Sequence, residues 1–254
     1  MSDDNREKFS GRAQDYSAYR TRYPAQLFSA IEKICSLRRE HLIADVGAGT
    51  GMLAEVFLPH EYRVIAIEPN AEMLTECDRL KLRYPLLQTV QATAEHTTLA
   101  THSVDVITAG RAFHWFDTEK ARAEFQRILR PGGWVVLASV GRRRGDTPLE
   151  REYEDLLLRT TPEYADTVSR FHVYESPQSF FGHGGVFHQE IEDTEPLTLP
   201  MLEGQTRSLS CMPLQGDARY AQLSAGLSDL FHRYARHDVV HMPIVTHLIC
   251  GQFA

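Results

Sequence analysis

Through the first 140 residues, short apolar runs alternate with longer stretches of helical period. Leu42, Ile43, Ala44 and Val46, interrupted only by Asp45, read as a buried parallel strand. Val64 to Ile67, Leu87 to Val90, Val104 to Thr108 and Trp134 to Val140 read the same way. Between them, Ala25 to Leu37 carries Leu27, Phe28, Ile31 and Ile34 on one helical face. Met52 to Phe57 begins a second helix that Pro59 ends, Pro69 and Asn70 open a third with Met73 and Leu74 turned inward, and Lys120 to Leu129 is amphipathic. Such alternation predicts an α/β domain with a mostly parallel sheet. After Pro148 the pattern is less regular. Leu149 to Leu158 and Ala218 to Tyr234 read as helices, Val186 to Ile191, Glu195 to Leu199 and Pro243 to Cys250 as strands, and Phe181 to Gly185 as a turn.

The first strand runs straight into glycines at 47, 49 and 51. Glycine tolerates positive φ and lets a ligand approach where a Cβ would block it. The spacing is G-x-G-x-G. A dinucleotide turn wants a third glycine where Met52 stands, and no Lys with Ser or Thr follows as a P-loop requires. The second strand ends at Glu68, and an acid there can accept both hydroxyls of a ribose lying over the glycine turn. Glycine turn and carboxylate together point to an adenosine-bearing ligand.

DVGAGTG at 45 to 51, AIEPNAEML at 66 to 74, ATAE at 92 to 95, SVDVITAGRAFHWFD at 103 to 117 and RILRPGGWVVLAS at 127 to 139 fall in a recognisable order. In this the chain resembles the class I S-adenosylmethionine-dependent methyltransferases, specifically the small-molecule branch called type 11. The resemblance implies a Rossmann-like, doubly wound, mostly parallel seven-stranded sheet with helices on both faces, an antiparallel last strand at the sheet edge and a substrate-capping insertion after strand five. It implies one domain over residues 1–254: a lid and first helix (1–36), a cofactor-binding core (37–140), an acceptor-pocket insertion (141–216), and a C-terminal helix with an edge strand (217–254).

The same resemblance implies a cofactor site. Gly47, Ala48 and Gly49 would face the amino-acid end of S-adenosylmethionine, Glu68 the ribose, and Pro69 and Met73 its neighbourhood. Met73 either covers an adenine face or is core. Thr93, Ala94 and Glu95 would flank the adenine, with Thr93 standing where the family often has Asp; Glu95 also reads as a helix-start acid. Gly110 and Arg111 end strand four at the crevice. Phe9 to Pro24 matches the family's N-terminal lid at Phe9, Ala13, Tyr16, Arg20, Tyr23 and Pro24, with Thr21 replacing the usual proline. The lid would bring Tyr16 and Arg20 to the cofactor, since a guanidinium can grip a carboxylate through two hydrogen bonds.

Composition narrows the acceptor. A net charge of −7 over 254 residues argues against a broad phosphate-neutralising surface, so nucleic acid is not the expected substrate. Cys35, Cys77, Cys211 and Cys250 form no CxxC pair, which fits reduced thiols in a cytoplasm. MSDDNREKFS lacks the apolar core of a signal peptide, and no long apolar run suggests a membrane span. His172, His183 and His188, linked by no H-x-x-x-H pair, read as surface or pocket residues, so no metal is expected. Arg142, Arg143 and Arg144 read as a solvated loop or as a mouth attracting an anion.

The expected chemistry is methyl transfer to a small organic acceptor by direct in-line displacement, in a monomer or homodimer. His114, among Phe113, Trp115 and Phe116, is the candidate general base; it reads also, and more often, as a residue that hydrogen-bonds the cofactor or the surrounding structure. Two alternatives stay open: a cofactor-binding protein of this fold that does no catalysis and serves as a regulatory or assembly partner, and, against the Met52 spacing, a nicotinamide-dependent oxidoreductase.

Overall fold

A computed structural model describes residues 18–145, 147–169, 178–182, 184–213 and 215–253. Strands β1 (Leu42–Val46), β2 (Arg63–Ile67), β3 (Leu87–Val90), β4 (Val104–Gly110), β5 (Leu129–Arg142), β6 (Val186–Leu197) and β7 (Val240–Gly251) form one seven-stranded sheet, in the order β3-β2-β1-β4-β5-β7-β6. The first five are parallel, and β7 runs antiparallel to both β5 and β6.

Alternate residues of the central strands serve opposite faces. Ile43, Val106, Val136 and Leu248 belong to one apolar core with Leu27 and Ile31 of α1 (Gln26–Cys35) and Phe57 of α2 (Ala54–Phe57). Their chain neighbours Ala44, Ile107, Val135, Leu137 and Ile249 belong to another with Phe125 and Ile128 of α4 (Thr118–Ile128), while Cys77 of α3 (Ala71–Arg79) packs in the first. Burial on both faces is why these strands read as unbroken apolar runs. A third core holds α5 (Pro148–Thr160) and Tyr164 of α6 (Tyr164–Ser169); a short α7 (Gln178–Phe181) lies instead with the α4 core. The same third core holds Leu202 of α8 (Leu199–Arg207) and Leu223, Leu227 and Leu230 of α9 (Tyr220–Tyr234), gathered around Leu197 and Val240. Among the described residues no helix is long and apolar enough to cross a membrane.

Four features depart from the sequence expectation. The last strand is antiparallel as expected but not at the edge: β7 lies inside, between β5 and β6, and β6 is the edge. From Met242 to Gly251 its side chains on both faces are buried or half-buried. Second, β6 is one strand rather than two, because pairing with β7 continues from Val186 to Leu197. Pro196 is tolerated there because an edge strand has one unpaired side. Third, α8 has no clear sequence signature, holding Pro200 and Gly204. Proline fits the first turn of a helix, and a Cβ at Gly204 would lie 2.3 Å from Cγ of Tyr19. Fourth, Arg130 to Gly133 is not a simple turn before β5 but part of an extended segment that pairs irregularly with β4. Arg130 Nη1 donates to both oxygens of Asp105, at 2.8 and 2.7 Å, and Asp105 also accepts the Leu42 N–H at 2.8 Å.

Candidate active site

The glycine turn is bound to the end of β2, since the Gly47 and Ala48 N–H groups both donate to the Ile67 carbonyl, at 2.8 and 3.0 Å. Gly47 and Gly49 have φ of +67° and +57°, a region in which a side chain is strained. Their surroundings differ. A Cβ at Gly47 would lie 2.5 Å from Cβ of Ala112, whereas one at Gly49 would meet nothing within 4 Å. The first glycine is therefore required by packing as well as by backbone, and the second leaves open space beside the chain.

Glu68 follows β2 directly and is buried. Its Oε2 accepts the Gly49 N–H and its Oε1 the Asn70 N–H, each at 2.9 Å. Asn70 caps α3, its Oδ1 accepting the Met73 N–H at 3.0 Å. One carboxylate thus ties the glycine turn to the start of α3. Burial holds its pKa above the usual carboxylate range, against the Asn70 and Gly49 donors that favour the charge. A carboxylate offers about four acceptor positions, so two N–H donors leave capacity for ligand hydroxyls.

Asp45, read from sequence as an interruption in β1, is fully buried in the wall of the same slot. Its Oδ1 accepts from the Thr108 hydroxyl at 2.8 Å, while Oδ2 is buried with no hydrogen-bond partner among the described residues. Burial pushes its pKa up to about 7; the Thr108 bond opposes this and the nearby Glu68 charge adds to it.

These groups wall a slot of about 770 Å³, counted out to its open mouth. It brings together Gly47, Ala48, Gly49, Glu68, Pro69, Met73, Ala94, Gly110 and Arg111, as the sequence expects. It adds Asp45, Met52, Leu53, Asn70 and Ala112, which the sequence reading did not single out as site residues, together with Tyr23 of the expected lid and Trp115 and Phe116 beside His114. Trp115 and Phe116 arrive through a 3₁₀ turn at Phe113–Trp115. Phe113 itself is core, its ring centroid 4.7 Å from that of Phe180.

Arg111 closes one end of the slot. It is buried and has φ of +52°, a strained backbone for a side chain of this size. Its Nη1 donates to the Thr21 carbonyl at 3.1 Å, Nη2 lies 3.0 Å from Met52 Sδ, and the guanidinium stands 5.4 Å from the Tyr23 ring centroid. Tyr23 in turn donates its hydroxyl to the Ala138 carbonyl at 3.2 Å. These contacts hold residues 21–23 over the carboxyl ends of β4 and β5, where open α/β sheets form their crevice.

A wider cavity of about 1580 Å³, counted the same way, shares Arg111 and Trp115 with the slot. His114 lines this cavity rather than the slot, and so does Arg20, whose Nη1 donates to Ser208 Oγ at 3.4 Å. Ser139, Tyr153, Tyr164, Gln205 and His247 are also in its walls. The arginine run lines it too, but not as bare positive charge. Arg142 lies 4.0 Å over the Tyr153 ring and donates to the Tyr164 hydroxyl at 2.8 Å. Arg143 pairs with Glu150 at 3.1 Å and Glu192 at 3.7 Å, and Arg144 with Glu154 at 3.7 Å.

Thr93 and Glu95 do not line the slot. The Thr93 carbonyl accepts the His96 N–H at 3.2 Å, and Glu95 Oε1 accepts the Asp117 N–H at 3.0 Å just before α4. From that turn Ala94 is in the wall. Tyr16, His172 and His183 lie outside the described residues.

A family model described as a methyltransferase domain matches residues 44–137, the stretch that supplies most of the slot. An uncharacterized methyltransferase of Mycobacterium tuberculosis is 30% identical over 190 residues, covering 67% of this chain and 72% of that protein. An uncharacterized methyltransferase of Schizosaccharomyces pombe is 32% identical over 124 residues, and the match spans about half of each protein, 48% and 48%. A second S. pombe protein, methyltransferase-like, is 30% identical over 178 residues, a match spanning 66% of its length. Among solved structures, a candidate type II methyltransferase of Anaeromyxobacter dehalogenans shares the fold with a TM-score of 0.69 at 24% identity, covering 93% of this chain and 98% of that one. The chain belongs to the class I S-adenosylmethionine-dependent methyltransferases.

Proposed function

We propose that the narrow slot takes S-adenosylmethionine, that the wider cavity takes a small organic acceptor, and that the methyl group passes between them by direct in-line displacement. The observation that carries this reading is the common wall: Arg111 and Trp115 belong to both cavities, so two ligands would meet there.

The residues of the slot suit the cofactor chemically. Glu68 has unused acceptor capacity for a ribose diol, and the open space beside Gly49 permits a close backbone approach. The aromatic faces of Trp115 and Phe116 suit a cationic centre. Gly47, Ala48, Gly49, Glu68, Pro69, Met73, Ala94, Gly110 and Arg111 are the proposed cofactor contacts. When bound, the cofactor supplies a methyl group already activated on a sulfonium. The protein's share is then mainly to orient the acceptor and keep water out, which proximity alone can make worth several kcal/mol. For a hydroxyl acceptor, His114, which lines the wider cavity beside the shared Trp115, would take its proton; for a carboxylate or amine, orientation suffices. Arg20, in the same cavity, suits an acceptor carboxylate. Residues 141–216 supply much of the acceptor side through the arginine run, Tyr153, Tyr164 and Gln205. Four free thiols are compatible with work in a reducing cytoplasm, as monomer or homodimer.

Calorimetry with S-adenosylhomocysteine against NAD tests the slot, and a screen of small acceptors with a labelled methyl donor tests the chemistry. Tight binding of the former with methyl incorporation into one acceptor class is the expected result. Binding without turnover on any acceptor would favour a non-catalytic cofactor-binding role, and binding of NAD alone would refute the reading.

A further inference from the structure

On β6, His188 and Glu190 are two residues apart and so share one face of the sheet. On β7, His247 is the register partner of Glu190 and therefore stands on that face beside it. His247 Nδ1 is 3.2 Å from Glu190 Oε1, and the His188 and His247 rings are 6.0 Å apart and inclined by only 30°. One ligand atom from each of the three side chains lies within 4.8 Å of the other two.

We propose that His188, Glu190 and His247 form a binding site for one divalent transition-metal ion of the zinc, cobalt(II) or nickel(II) class. Ligands held about 2.1 Å from a tetrahedral ion stand about 3.4 Å apart. The Glu190–His247 pair already has that separation, and His188 needs only a side-chain adjustment of about an ångström to join it. The three Cβ atoms are fixed by adjacent antiparallel strands, so no loop has to be ordered on binding. Two imidazoles and one carboxylate suit a borderline d-block ion rather than magnesium or calcium, which prefer all-oxygen shells. The neighbouring acid Glu192 is engaged by Arg143, leaving Glu190 as the carboxylate of the set. Three protein donors leave a coordination position open. Because Glu190 and His247 also line the wider cavity, an oxygen-bearing molecule held there is within reach of it. The His188-x-Glu190 spacing was passed over where the sequence led to the expectation of no metal, yet on a strand it puts both donors on one side; the third ligand, 57 residues beyond Glu190, follows only from the strand pairing.

The test uses untagged protein stripped of metal with a chelator, titrated with zinc against a chromophoric indicator and with cobalt(II) by its visible absorption. One ion should bind per chain. Outer-shell partners of metal sites are commonly worth about 10- to 100-fold in affinity, so loss of a direct ligand in His188→Ala, Glu190→Gln or His247→Ala should weaken binding by at least about tenfold. His241→Ala, exposed on the same strand, should leave it unchanged. His188 is exposed, so its variant folds even where a change at His247 disturbs β7. Absence of stoichiometric binding, or equal binding by wild type and all three ligand variants, overturns the proposal. None of these readouts depends on what the narrow slot binds.

Discussion

The Glu68 carboxylate accepts the backbone N–H of Gly49 at 2.9 Å, across 19 residues of sequence, and so fixes the tip of the glycine turn from the end of the neighbouring strand. The other oxygen takes the Asn70 N–H. Replacing Glu68 by alanine would leave both donors without this acceptor. The expected result is a stability loss of about 1–3 kcal/mol and a fall in S-adenosylhomocysteine affinity of at least about tenfold. Glu68→Gln keeps one carbonyl acceptor and should fall between the two. Thermal melts and calorimetry on the same samples separate the effects: stability loss with unchanged affinity would make Glu68 a purely structural clamp.

Gly47 and Gly49 predict a contrast. Gly47→Ala meets Ala112 Cβ at 2.5 Å in addition to its unfavourable φ, whereas Gly49→Ala has the backbone cost alone. The second should cost about 1 kcal/mol and the first a further 1–3 kcal/mol or so from overpacking. Denaturant unfolding reads both, and equal losses would mean that Ala112 gives way freely.

Asp45 makes stability fall as pH rises. Its carboxyl is lifted from 3.8 to about 7 by burial, so between those values the folded state holds a proton that the unfolded chain has released. Folding is favoured below the lower value, and that advantage disappears as pH rises through the upper one. Asp45→Asn keeps an acceptor for Thr108 and removes the titration. Its stability should therefore change less than that of wild type between pH 5 and 8, by an amount on the order of a few kcal/mol. Parallel pH profiles in the two proteins would place the charge elsewhere.

Glu124 acts with the opposite sign. Its burial would raise the pKa, but Arg127 and Thr97 outweigh this and hold it at about 2, below the usual 4.5. Arg127 donates at 2.7 Å from both Nε and Nη2, and Thr97 donates from its N–H at 2.8 Å and from its hydroxyl at 2.5 Å. The resulting stability is present above pH 4.5 and is lost as pH falls through 2. Glu124→Gln should be less stable than wild type at pH 6 and flatter in acid unfolding followed by circular dichroism. An unchanged acid limb would mean that the Arg127 pair contributes nothing net.

The slot was legible because its parts are local: an apolar run, a glycine turn, and an acid at the next strand's end are each written in a few consecutive residues. Asp45 was not, since a lone acid within an apolar run looks the same whether it interrupts a strand or lines a ligand cavity. Arg20 and His114 could be recognised as candidates but not assigned to a cavity, because the wider one is assembled from residues 20 to 247 and only the fold decides which side of Arg111 they face. Thr93 and Glu95 stood out by their place in a family motif, but which members of that turn line the slot depends on partners such as Asp117, 22 residues beyond Glu95. The place of β7 inside the sheet has no local signature either, for the same alternation suits an edge or an interior strand.

That position constrains how the molecule can be made. A nascent chain that has delivered everything through residue 197 carries a long strand whose partner among the described residues, β7, has yet to emerge. Until residues 240–251 slide in and bond on both sides, β5 and β6 each present an open row of amides and carbonyls to whatever else is in solution. Slow synthesis, or a stop anywhere in α9, would prolong that interval, making aggregation during biogenesis, rather than unfolding afterwards, the more dangerous moment for this chain.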